Sequence, residues 1–362
     1  MPIELAHGLQ VMQMCEAFSE FCEVKLLVPR RINPIKEDVF SYYNLQKKFQ
    51  LKKIPCLDLI FVNGKNIFFW IQTLTFLFFT KIYLLFKKFD ILYTREQMTA
   101  LFFNDFVLEI HLLPRKIRRM HLYIWGKARK LVVLTPFIKE RLIKLGVPER
   151  KIMIAPDGVK IPSFDISLSR EDARKKLNLP QDKKLIGYVG MLRTLGMEKG
   201  IDAAIEAMSL LKSENIKLVL VGGYEADINF YKKIAEKFGI KDKIIFTGRV
   251  NHSLIPIYLK SFDILIAPFP ENEHYSFYMS PMKIFEYMAS KRPIICTKLP
   301  SLEFILKDSA FFIKPGDSPE LAVKINEILE NAERGENLAQ RAYNYALEYS
   351  WENRAKNILS NL

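Results

Sequence analysis

The sequence predicts an α/β protein built from two doubly wound units that face one cleft. Three observations support this fold class. In the second half of the chain, short apolar runs alternate with helical patterns, which is typical of a parallel sheet covered on both faces. The first half repeats this alternation less regularly. Finally, 362 residues with 49% hydrophobic and 26% charged residues correspond to about two ordinary globular domains.

The second half contains the clearest elements. Near-continuous apolar runs predict strands at KLIGYVGM, IKLVLVGG, KIIFTGRV, DILIAPF and PIICT. Between them, GIDAAIEAMSLLK places Ile201, Ile205 and Met208 on one helical face, and DINFYKKIAEKF is a helix closed by Gly239. Further helices are expected around Leu254 to Leu259, from Pro281, and from Pro319 onward.

The first half carries candidate strands at EVKLLVP, DLIFV, DILYT, FVLEIH, KLVVLT and KIMIAP. Helices are expected at Leu9 to Phe21, Arg115 to Lys130 and Pro136 to Leu145. Pro, Gly and Asp cluster in PDGVKIPSFD, which marks a boundary between domains. We predict one domain over residues 1–160 and another over 161–349, with the final helix, residues 350–362, as a candidate for packing back on the first.

The beginning of the first domain is expected to have a missing or truncated strand. A doubly wound domain opens with a strand that leads into a glycine loop, yet His7 and Gly8 come almost at once and only Pro2 to Ala6 precede them. A missing inner strand leaves backbone groups of its neighbours unpaired. We therefore expect a version extended upstream by about 5–10 residues to be more stable.

The charge is concentrated in the first half of the chain. Residues 1–160 carry 26 Lys and Arg against 14 Asp and Glu, a net +12, whereas the rest has 28 against 26, a net +2. This asymmetry suits an anionic partner, namely phospholipid headgroups, nucleic acid or a phosphorylated substrate. The four cysteines form no close metal or disulfide spacing, and the chain opens without the pattern of a secretory signal. Both features indicate a reducing, cytosolic compartment.

An aromatic stretch from Ile67 to Lys88, IFFWIQTLTFLFFTKIYLLFKK, is apolar nearly all round. Its longest uncharged run lies between Lys65 and Lys81, which is shorter than the roughly 20 residues of a membrane-spanning helix, so no spanning anchor is expected. One half is expected to pack on the sheet of the first domain. Together with the basic segment Arg115 to Lys130, the stretch predicts a surface held to anionic lipid by charge and shallow insertion.

The segment HYSFYMSPMKIFEYMASKRPIICT predicts an anion site at the start of a helix. Ser280 is a good N-cap and Pro281 a good first helical residue, so free N–H groups should point into the cleft. Lys283 adds a full positive charge, which suits a diphosphate. Glu286 lies three residues later on the same face and can accept hydrogen bonds from sugar hydroxyls. An ordinary capped helix with a surface Lys–Glu pair explains the spacing equally well.

A glycine-rich turn, GYVGMLRTLGMEKG, follows the first strand of the second domain. Its four glycines allow a ligand to approach the backbone, and Arg193 and Lys199 can neutralise phosphate charge. The turn lacks the spacing of both the P-loop and the dinucleotide fingerprint. Its significance comes from the second anion site predicted at the same edge.

These motifs in combination resemble one enzyme family. GYVG with a KG turn, LVLVGG, FTGRV, DILIAP and SPMKIFEYMASKRPIICT look like the nucleotide-sugar half of a retaining glycosyltransferase of the GT-B fold, the large family 4. AHGLQVMQMCEAF, DILYTRE, LEIH and APDGV resemble its acceptor half. The resemblance implies two Rossmann-like domains and transfer of a sugar from a nucleotide donor.

The resemblance also implies roles for individual residues. Arg193 and Lys199 would bind the donor diphosphate, Glu286 the ribose hydroxyls, and His111 would approach the transferred sugar; these four form the implied catalytic set. The implied donor site and acceptor loop comprise further residues: Gly190, Gly248, Val250, Tyr278, Ser280, Pro281, Met282 and Lys283 for the donor, and Gly8 for the acceptor. Two positions depart from the family pattern, because Tyr278 stands where a glutamate is usual and Leu112 follows His111 where many relatives have an acid.

The expected function is therefore transfer of a sugar from a UDP- or GDP-linked donor to a lipid-linked or saccharide acceptor. It is expected to proceed with retention, without a cofactor, and without a metal because no Asp-x-Asp triplet occurs. The expected location is the cytoplasmic, inner face of the plasma membrane, in cell-surface polysaccharide or glycolipid assembly. Two alternatives remain: a sugar-nucleotide epimerase of similar fold, and a basic nucleic-acid-binding protein. Nucleic acid is disfavoured as a partner, because the charge accompanies a large apolar segment rather than a known nucleic-acid module.

Overall fold

A computed structural model describes residues 2–3, 6–46, 49–59, 66–114, 116–194 and 196–362. The chain forms two compact units. Unit 1 comprises Met1–Pro156 and Trp351–Leu362, and unit 2 comprises Asp157–Ser350. The chain therefore leaves unit 1 once and returns to it for its last helix.

Helices and parallel strands alternate along both units. The helices are α1 (Ala6–Phe18), α2 (Val39–Tyr42), α3 (Asn66–Leu85), α4 (Arg119–Lys127), α5 (Pro136–Lys144), α6 (Arg170–Lys176), α7 (Ile201–Leu210), α8 (Glu225–Lys237), α9 (Ile255–Ser261), α10 (Met282–Ala289), α11 (Pro300–Leu306), α12 (Ser318–Glu330), α13 (Ala332–Glu348) and α14 (Trp351–Ser360). The strands are β1 (Lys25–Pro29), β2 (Gln50–Ile54), β3 (Tyr93–Thr94), β4 (Val107–Ile110), β5 (Lys130–Val133), β6 (Ile152–Ile154), β7 (Lys184–Val189), β8 (Arg193–Thr194), β9 (Met197–Glu198), β10 (Ile216–Val221), β11 (Ile244–Gly248), β12 (Ile264–Ala267), β13 (Ile294–Thr297) and β14 (Phe311–Ile313). A π-helical turn spans His274–Tyr278.

The described strands of unit 1 form two parallel sheets. One pairs β1 with β2, and the other has the order β3-β4-β5-β6. Strand β2 escaped the sequence analysis because its sequence, QLKKI, is mostly polar and mostly exposed. The predicted strand DLIFV is wrong at Asp58 and Leu59, which are irregular, and its last three residues lie outside the described part of the chain. Helix α1 begins at Ala6, three residues before the predicted Leu9.

Unit 2 contains a single six-stranded parallel sheet among its described residues, in the order β11-β10-β7-β12-β13-β14, beside the small antiparallel pair β8-β9. The five predicted strands of this half are confirmed; β14 was missed. Apolar clusters cover the sheet, one around Leu185, Val219 and Leu265, and another around Ile186, Leu218 and Ile266. Neighbouring residues of the same strands thus belong to different clusters, as expected for a sheet buried on both faces.

Helix α3 is the aromatic stretch of unit 1. It continues through Lys81 to Leu85, so the prediction that no segment reaches spanning length is wrong for this helix. By length and composition it is the one helix among the described residues that could cross a membrane. A single lysine near one end does not interrupt an α-helix, since lysine is a good helix former.

Candidate active site

The carboxyl edge of the unit 2 sheet brings the two predicted halves of the donor site together. The strand order reverses between β7 and β12, and doubly wound sheets bind ligands at such a point. The turn after β7 carries Gly190, Arg193 and Lys199, whereas the segment after β12 leads to Lys283 and Glu286. One edge therefore holds the cationic residues that the sequence placed in separate motifs.

Lys283 carries the strongest signal at this edge. Its Nζ is buried and has no hydrogen-bond partner among the described residues, although other parts of the side chain remain accessible. The Nζ lies 3.8 Å from the ring centroid of Tyr188 and 5.5 Å from that of Phe269. Burial lowers the pKa of Lys283 well below its ordinary value, the charge of Lys199 lowers it further, and Glu286 opposes both. A buried ammonium group without a hydrogen bond is costly, so this site favours an anionic ligand.

Lys199 lies beside Lys283 and is the second cation of the site. Its Nζ donates to the hydroxyl of Tyr275 over 2.9 Å, and that hydroxyl donates to the carbonyl of Glu198 over 3.0 Å. Burial lowers the pKa of Lys199 to about 8. Two neighbouring amines whose charged forms are both disfavoured are the electrostatic signature of a site that binds anions.

Arg193 occupies a different position on the same turn. Its guanidinium carbon lies 4.9 Å from the ring centroid of Phe230 in α8, and its buried Nε has no partner among the residues that the structure describes. Arg193 belongs to β8, which pairs with β9 in a short hairpin. Arg193, which the sequence predicts to bind the nucleotide-sugar donor, thus stacks on an aromatic ring, and its Nε has no hydrogen-bond partner in the described part of the chain.

A glycine suits position 190 for two reasons. Its φ is +135°, a backbone conformation that other residues rarely adopt. A Cβ at this position would also lie 2.7 Å from the Nζ of Lys283. The glycine therefore makes room for the lysine as well as for the sharp turn after β7.

The start of α10 differs from the prediction. The helix begins at Met282 and its N-cap is Pro281, so Ser280 is not the N-cap and Pro281 is not the first helical residue. The hydroxyl of Ser280 instead accepts a hydrogen bond from the N–H of Asp157 over 2.8 Å. A residue before proline is disfavoured from helical backbone angles, and here Pro281 itself is extended, with φ −79° and ψ 119°. Met282 and Lys283 thus form the first turn, whose N–H groups lack partners within the helix.

Two carboxylates near α10 have partners that the sequence analysis missed. The Oε1 of Glu286 lies 3.1 Å from the Nε2 of His252, a half-exposed histidine after β11. The hydroxyl of Tyr278 donates to the Oε1 of Glu273 over 2.7 Å. Tyr278 therefore stands next to an acid five residues earlier, which the π-helical turn makes possible. No spacing in the sequence indicates either pair, because both depend on irregular backbone.

Gly248 and Val250 flank a bend at the end of β11. Gly248 has φ +70° and its carbonyl accepts the N–H of Gly222 over 2.8 Å. Val250 is half-buried and packs against the apolar cluster of unit 2, and Arg249 lies with its guanidinium carbon 5.1 Å from the ring centroid of Tyr224. The backbone of this bend lies at the carboxyl edge of the sheet, as the predicted contact with a base requires.

In unit 1, His111 follows directly after β4 and contacts a buried carboxylate. Its Nε2 is hydrogen-bonded to the Oε1 of Glu109, which also accepts hydrogen bonds from Gln10 over 2.9 Å and from Arg354 over 3.1 Å. The hydroxyl of Tyr93 donates to the other carboxylate oxygen. Burial raises the pKa of Glu109, but the charges of Arg354 and His111 outweigh it and hold that pKa well below its usual range. An ionised Glu109 orients the His111 ring.

Gly8 lies inside helix α1, so its predicted place in a loop is wrong. A Cβ on Gly8 would lie 2.4 Å from the Tyr43 hydroxyl and 2.4 Å from a side-chain carbon of Ile3. That hydroxyl accepts the N–H of Ile3 over 2.8 Å and donates to its carbonyl over 2.8 Å. Close packing against Tyr43 and Ile3 therefore explains the glycine at this position. The loop prediction failed because the helix begins earlier than its apolar pattern indicates.

Sequence reasoning missed the partners that define both sites. Tyr188 and Phe269 surround the Lys283 ammonium but belong to strands or loops that read as core, and Glu109 sits within a run that reads as a buried strand. An acid inside an apolar strand, FVLEIH, is the one signal that could have indicated Glu109 as a functional neighbour of His111.

Known proteins similar to this chain agree on one family. Residues 169–345 match the family described as Glycosyl transferases group 1. An uncharacterised glycosyltransferase of Methanocaldococcus jannaschii is 27% identical over 237 residues, which are 63% of this chain and 58% of that protein. The alpha-D-kanosaminyltransferase of Streptomyces kanamyceticus is 24% identical over 225 residues, 60% of this chain and 55% of that protein. The chain thus spans little more than half the length of these curated relatives.

Solved structures match over nearly the whole chain. HepE of Anabaena, in complex with UDP and glucose, has a TM-score of 0.72 at 16% identity and covers 100% of this chain and 98% of its own. WaaG, a glycosyltransferase involved in lipopolysaccharide biosynthesis, has a TM-score of 0.68 at 16% identity, with 98% and 95% covered. These likenesses confirm the predicted GT-B fold class. The match to the group 1 glycosyltransferases covers residues 169–345, which lie within unit 2.

Proposed function

We propose that this protein transfers a sugar from a UDP- or GDP-linked donor to a lipid-linked or saccharide acceptor at the cytoplasmic face of a membrane, in cell-surface polysaccharide or glycolipid assembly. The observation that carries the proposal is the buried Nζ of Lys283, which has no hydrogen-bond partner in the described part of the chain and lies beside Lys199 at the carboxyl edge of a doubly wound sheet. A ligand with two adjacent negative charges satisfies both amines at once. The diphosphate of a nucleotide sugar has this form.

The donor end of the proposal is supported by the chemistry of the edge and by a similar structure. Glu286 can accept hydrogen bonds from ribose hydroxyls, and the bend at Gly248 and Val250 can border a base. The HepE structure, which is similar to this chain, contains UDP and glucose. For this chain, UDP and GDP both remain candidates, because none of these residues reads a base edge by itself.

The proposed reaction needs charge stabilisation at the leaving group. As the bond between the anomeric carbon and the diphosphate oxygen breaks, its electron pair moves to the diphosphate. Lys199, Lys283 and Arg193 stabilise the growing negative charge because they are already in place. The acceptor oxygen bonds to the anomeric carbon on the face that the diphosphate leaves, and its proton passes to a phosphate oxygen. The configuration is retained, and the three cations supply the charge that a metal ion supplies elsewhere.

Tyr278 of unit 2 is the proposed contact of the transferred sugar, and His111 is the candidate sugar-binding residue of unit 1. The ionised Glu109 holds the His111 ring in one orientation, which prepares the imidazole to hydrogen-bond a sugar hydroxyl. Tyr278 replaces the glutamate that is usual in the family, and its hydrogen bond to Glu273 keeps a carboxylate close by. Tyr278 together with Glu273 is the proposed origin of donor-sugar selectivity.

The donor site is tested by calorimetric titration of UDP and GDP into the native protein and three variants. Lys283→Met and Lys199→Met should each weaken binding by about 10- to 100-fold, because each removes a charge-assisted hydrogen bond. Lys212→Met, an exposed lysine in the same unit, is the matched control and should bind normally. Equal affinities in all four proteins would contradict the site.

The reaction is tested by incubating the protein with UDP- and GDP-sugars and a polar lipid extract. Transfer to a lipid product, with the anomeric configuration read by NMR, supports the proposal, and full activity in EDTA supports the metal-free route. Release of an epimerised nucleotide sugar without transfer would identify an epimerase instead. Inactivation by EDTA that is reversed by Mn²⁺ would contradict the metal-free mechanism.

A further inference from the structure

Helix α3 of unit 1 has its polar side facing the protein. Of its described residues, four are buried, and three of these are polar: Gln72, Thr73 and Thr80, with Leu77 as the fourth. A surface helix of a water-soluble domain normally buries an apolar stripe and exposes the polar one. The burial pattern of α3 is therefore inverted.

The outward side of the same helix is strongly apolar. The exposed residues on this side and its flanks are Ile67, Trp70, Phe78, Phe79, Ile82 and Leu85, together with Lys81. Phe69 is exposed as well, but it lies on the side of the buried Thr73 and Thr80, near the start of the helix. The exposed series continues past the helix end in Phe86, Phe89 and Ile91. So many large apolar side chains along one element form a patch well beyond the scattered exposure that soluble surfaces tolerate.

Hydrogen bonds fix which side of α3 faces the protein. The Nε2 of Gln72 donates to the Oδ1 of Asp58 over 2.8 Å, and the Thr75 hydroxyl accepts the N–H of Leu57 over 3.1 Å. Leu77 is buried on the same side. A helix held along its length in this way cannot cross a bilayer while it stays docked, even though its length and composition would allow it. Its apolar side can still lie in the plane of a membrane surface.

The charges around the apolar side favour an anionic surface. Lys81, Lys87 and Lys88 are exposed within or just after the helix, and the sequence from Asn66 to Phe89 contains no acidic residue. Each basic residue close to an anionic lipid surface contributes attraction, and aromatic rings such as Trp70 favour the headgroup region. The charge and the apolar side chains thus select the same partner.

We propose that α3 is a membrane-contact element that lies in the interface of an anionic bilayer, with Phe78, Ile82 and Leu85 inserted, Trp70 at the flank of the inserted side, and the polar side against unit 1. This inference goes beyond the transfer reaction and does not depend on it. Contact with the membrane would bring the enzyme close to a lipid-linked acceptor in the same bilayer. A second copy of the chain covering the same face is the competing occupant.

The tryptophans of the chain make a direct test possible. Trp70 is 45% exposed, whereas Trp125 and Trp351 are 0% and 3% exposed. Brominated acyl chains quench tryptophans that enter the bilayer, so vesicles of phosphatidylglycerol and brominated phosphatidylcholine should quench the native protein. Trp70→Phe should remove this quenching and leave flotation with the vesicles largely intact. Unchanged fluorescence of the native protein on bound vesicles would overturn the insertion of α3.

The apolar side is tested by a double variant with a matched control. Phe78→Ser with Ile82→Ser removes two exposed side chains one helical turn apart and should lower partitioning into anionic vesicles by about tenfold or more. Leu210→Ser with Phe238→Ser removes comparably exposed side chains in unit 2, 50% and 44% exposed, and should change partitioning less than twofold. Equal loss in both double variants would contradict the proposal.

Two further measurements distinguish membrane contact from self-association, and test the membrane contact independently of the proposed function. If the Phe78 and Ile82 variant converts a dimer to a monomer in sedimentation while vesicle binding is unchanged, the face binds a second copy and the proposal fails. The same variant should bind UDP or GDP normally, because the donor site belongs to unit 2. If the native protein bound neither UDP nor GDP, the proposed function would be wrong, whereas the proposed membrane contact would be unaffected.

Discussion

Each unit buries an ionisable side chain, and the two differ in whether that side chain has hydrogen-bond partners. In unit 1, Glu109 is surrounded by donors, among them Arg354 and His111, and its pKa lies well below the usual range because burial is outweighed by these charges. In unit 2, the Nζ of Lys283 is buried with aromatic rings around it and no hydrogen-bond partner among the described residues. Breaking a fully partnered buried charge is costly to stability, whereas a buried amine without a hydrogen-bond partner is typical of a site that binds a ligand.

The largest effect is expected from breaking the unit 1 network. Glu109→Gln leaves the buried guanidinium of Arg354 without its carboxylate, so urea unfolding should show a loss of about 3–5 kcal/mol. A second change, Arg354→Met, should recover part of this loss, since it removes the charge that was left alone. Additive losses in the double variant would mean that the two groups do not act as a pair.

The opposite change in unit 2 should stabilise the free protein. Lys283→Met keeps a similar volume and removes a buried amine that has no hydrogen-bond partner among the described residues, so the urea midpoint should rise, by roughly 1 kcal/mol of unfolding free energy. Lys212→Met serves as the exposed control and should stay within about 0.5 kcal/mol of the native protein. If Lys283→Met were instead destabilised, Lys283 would have a structural role, as Glu109 has, and the prediction would be wrong.

A pH dependence is also expected, and it differs between the units. The pKa of Lys199 is lowered to about 8, below its value in the unfolded chain, so the unfolded chain binds more protons above pH 8 and stability should rise from pH 8 toward 10. Nucleotide affinity should fall over the same range, by at most tenfold per pH unit, because the ligand needs the charged amine. For Glu109 the folded pKa is depressed, so its contribution is present above the ordinary carboxyl pKa and lost as the pH falls.

Urea midpoints and calorimetric affinities measured at pH 7, 8 and 9 check this dependence. Lys199→Met should reduce the rise in stability above pH 8, while Lys212→Met should leave it unchanged; the rest of the rise comes from groups such as Lys283, whose pKa is lowered as well. A native protein whose nucleotide affinity stays constant from pH 7 to 9 would remove Lys199 from the donor site.

Local sequence patterns predicted most of the fold and part of the site. Apolar runs such as IKLVLV mark buried parallel strands because both faces of the sheet are covered, and the predictions at β7 and β10 to β13 are confirmed for that reason. They failed at β2, because its sequence QLKKI is mostly polar and mostly exposed and so forms no apolar run. Ser280 was misassigned because the backbone at Pro281 is set by the packing of neighbouring segments, which a capping pattern does not contain.

The sequence by itself determined the fold class and the identity of the cationic residues, since these depend on periodicity and on residue type. The tertiary structure decided which charges have partners. Glu109 meets Arg354 across 245 positions of sequence, and Lys283 meets the ring of Tyr188 instead of a carboxylate. It also decided that α3 turns its polar side inward, because a helical pattern fixes which residues share a face and not which face the rest of the chain covers.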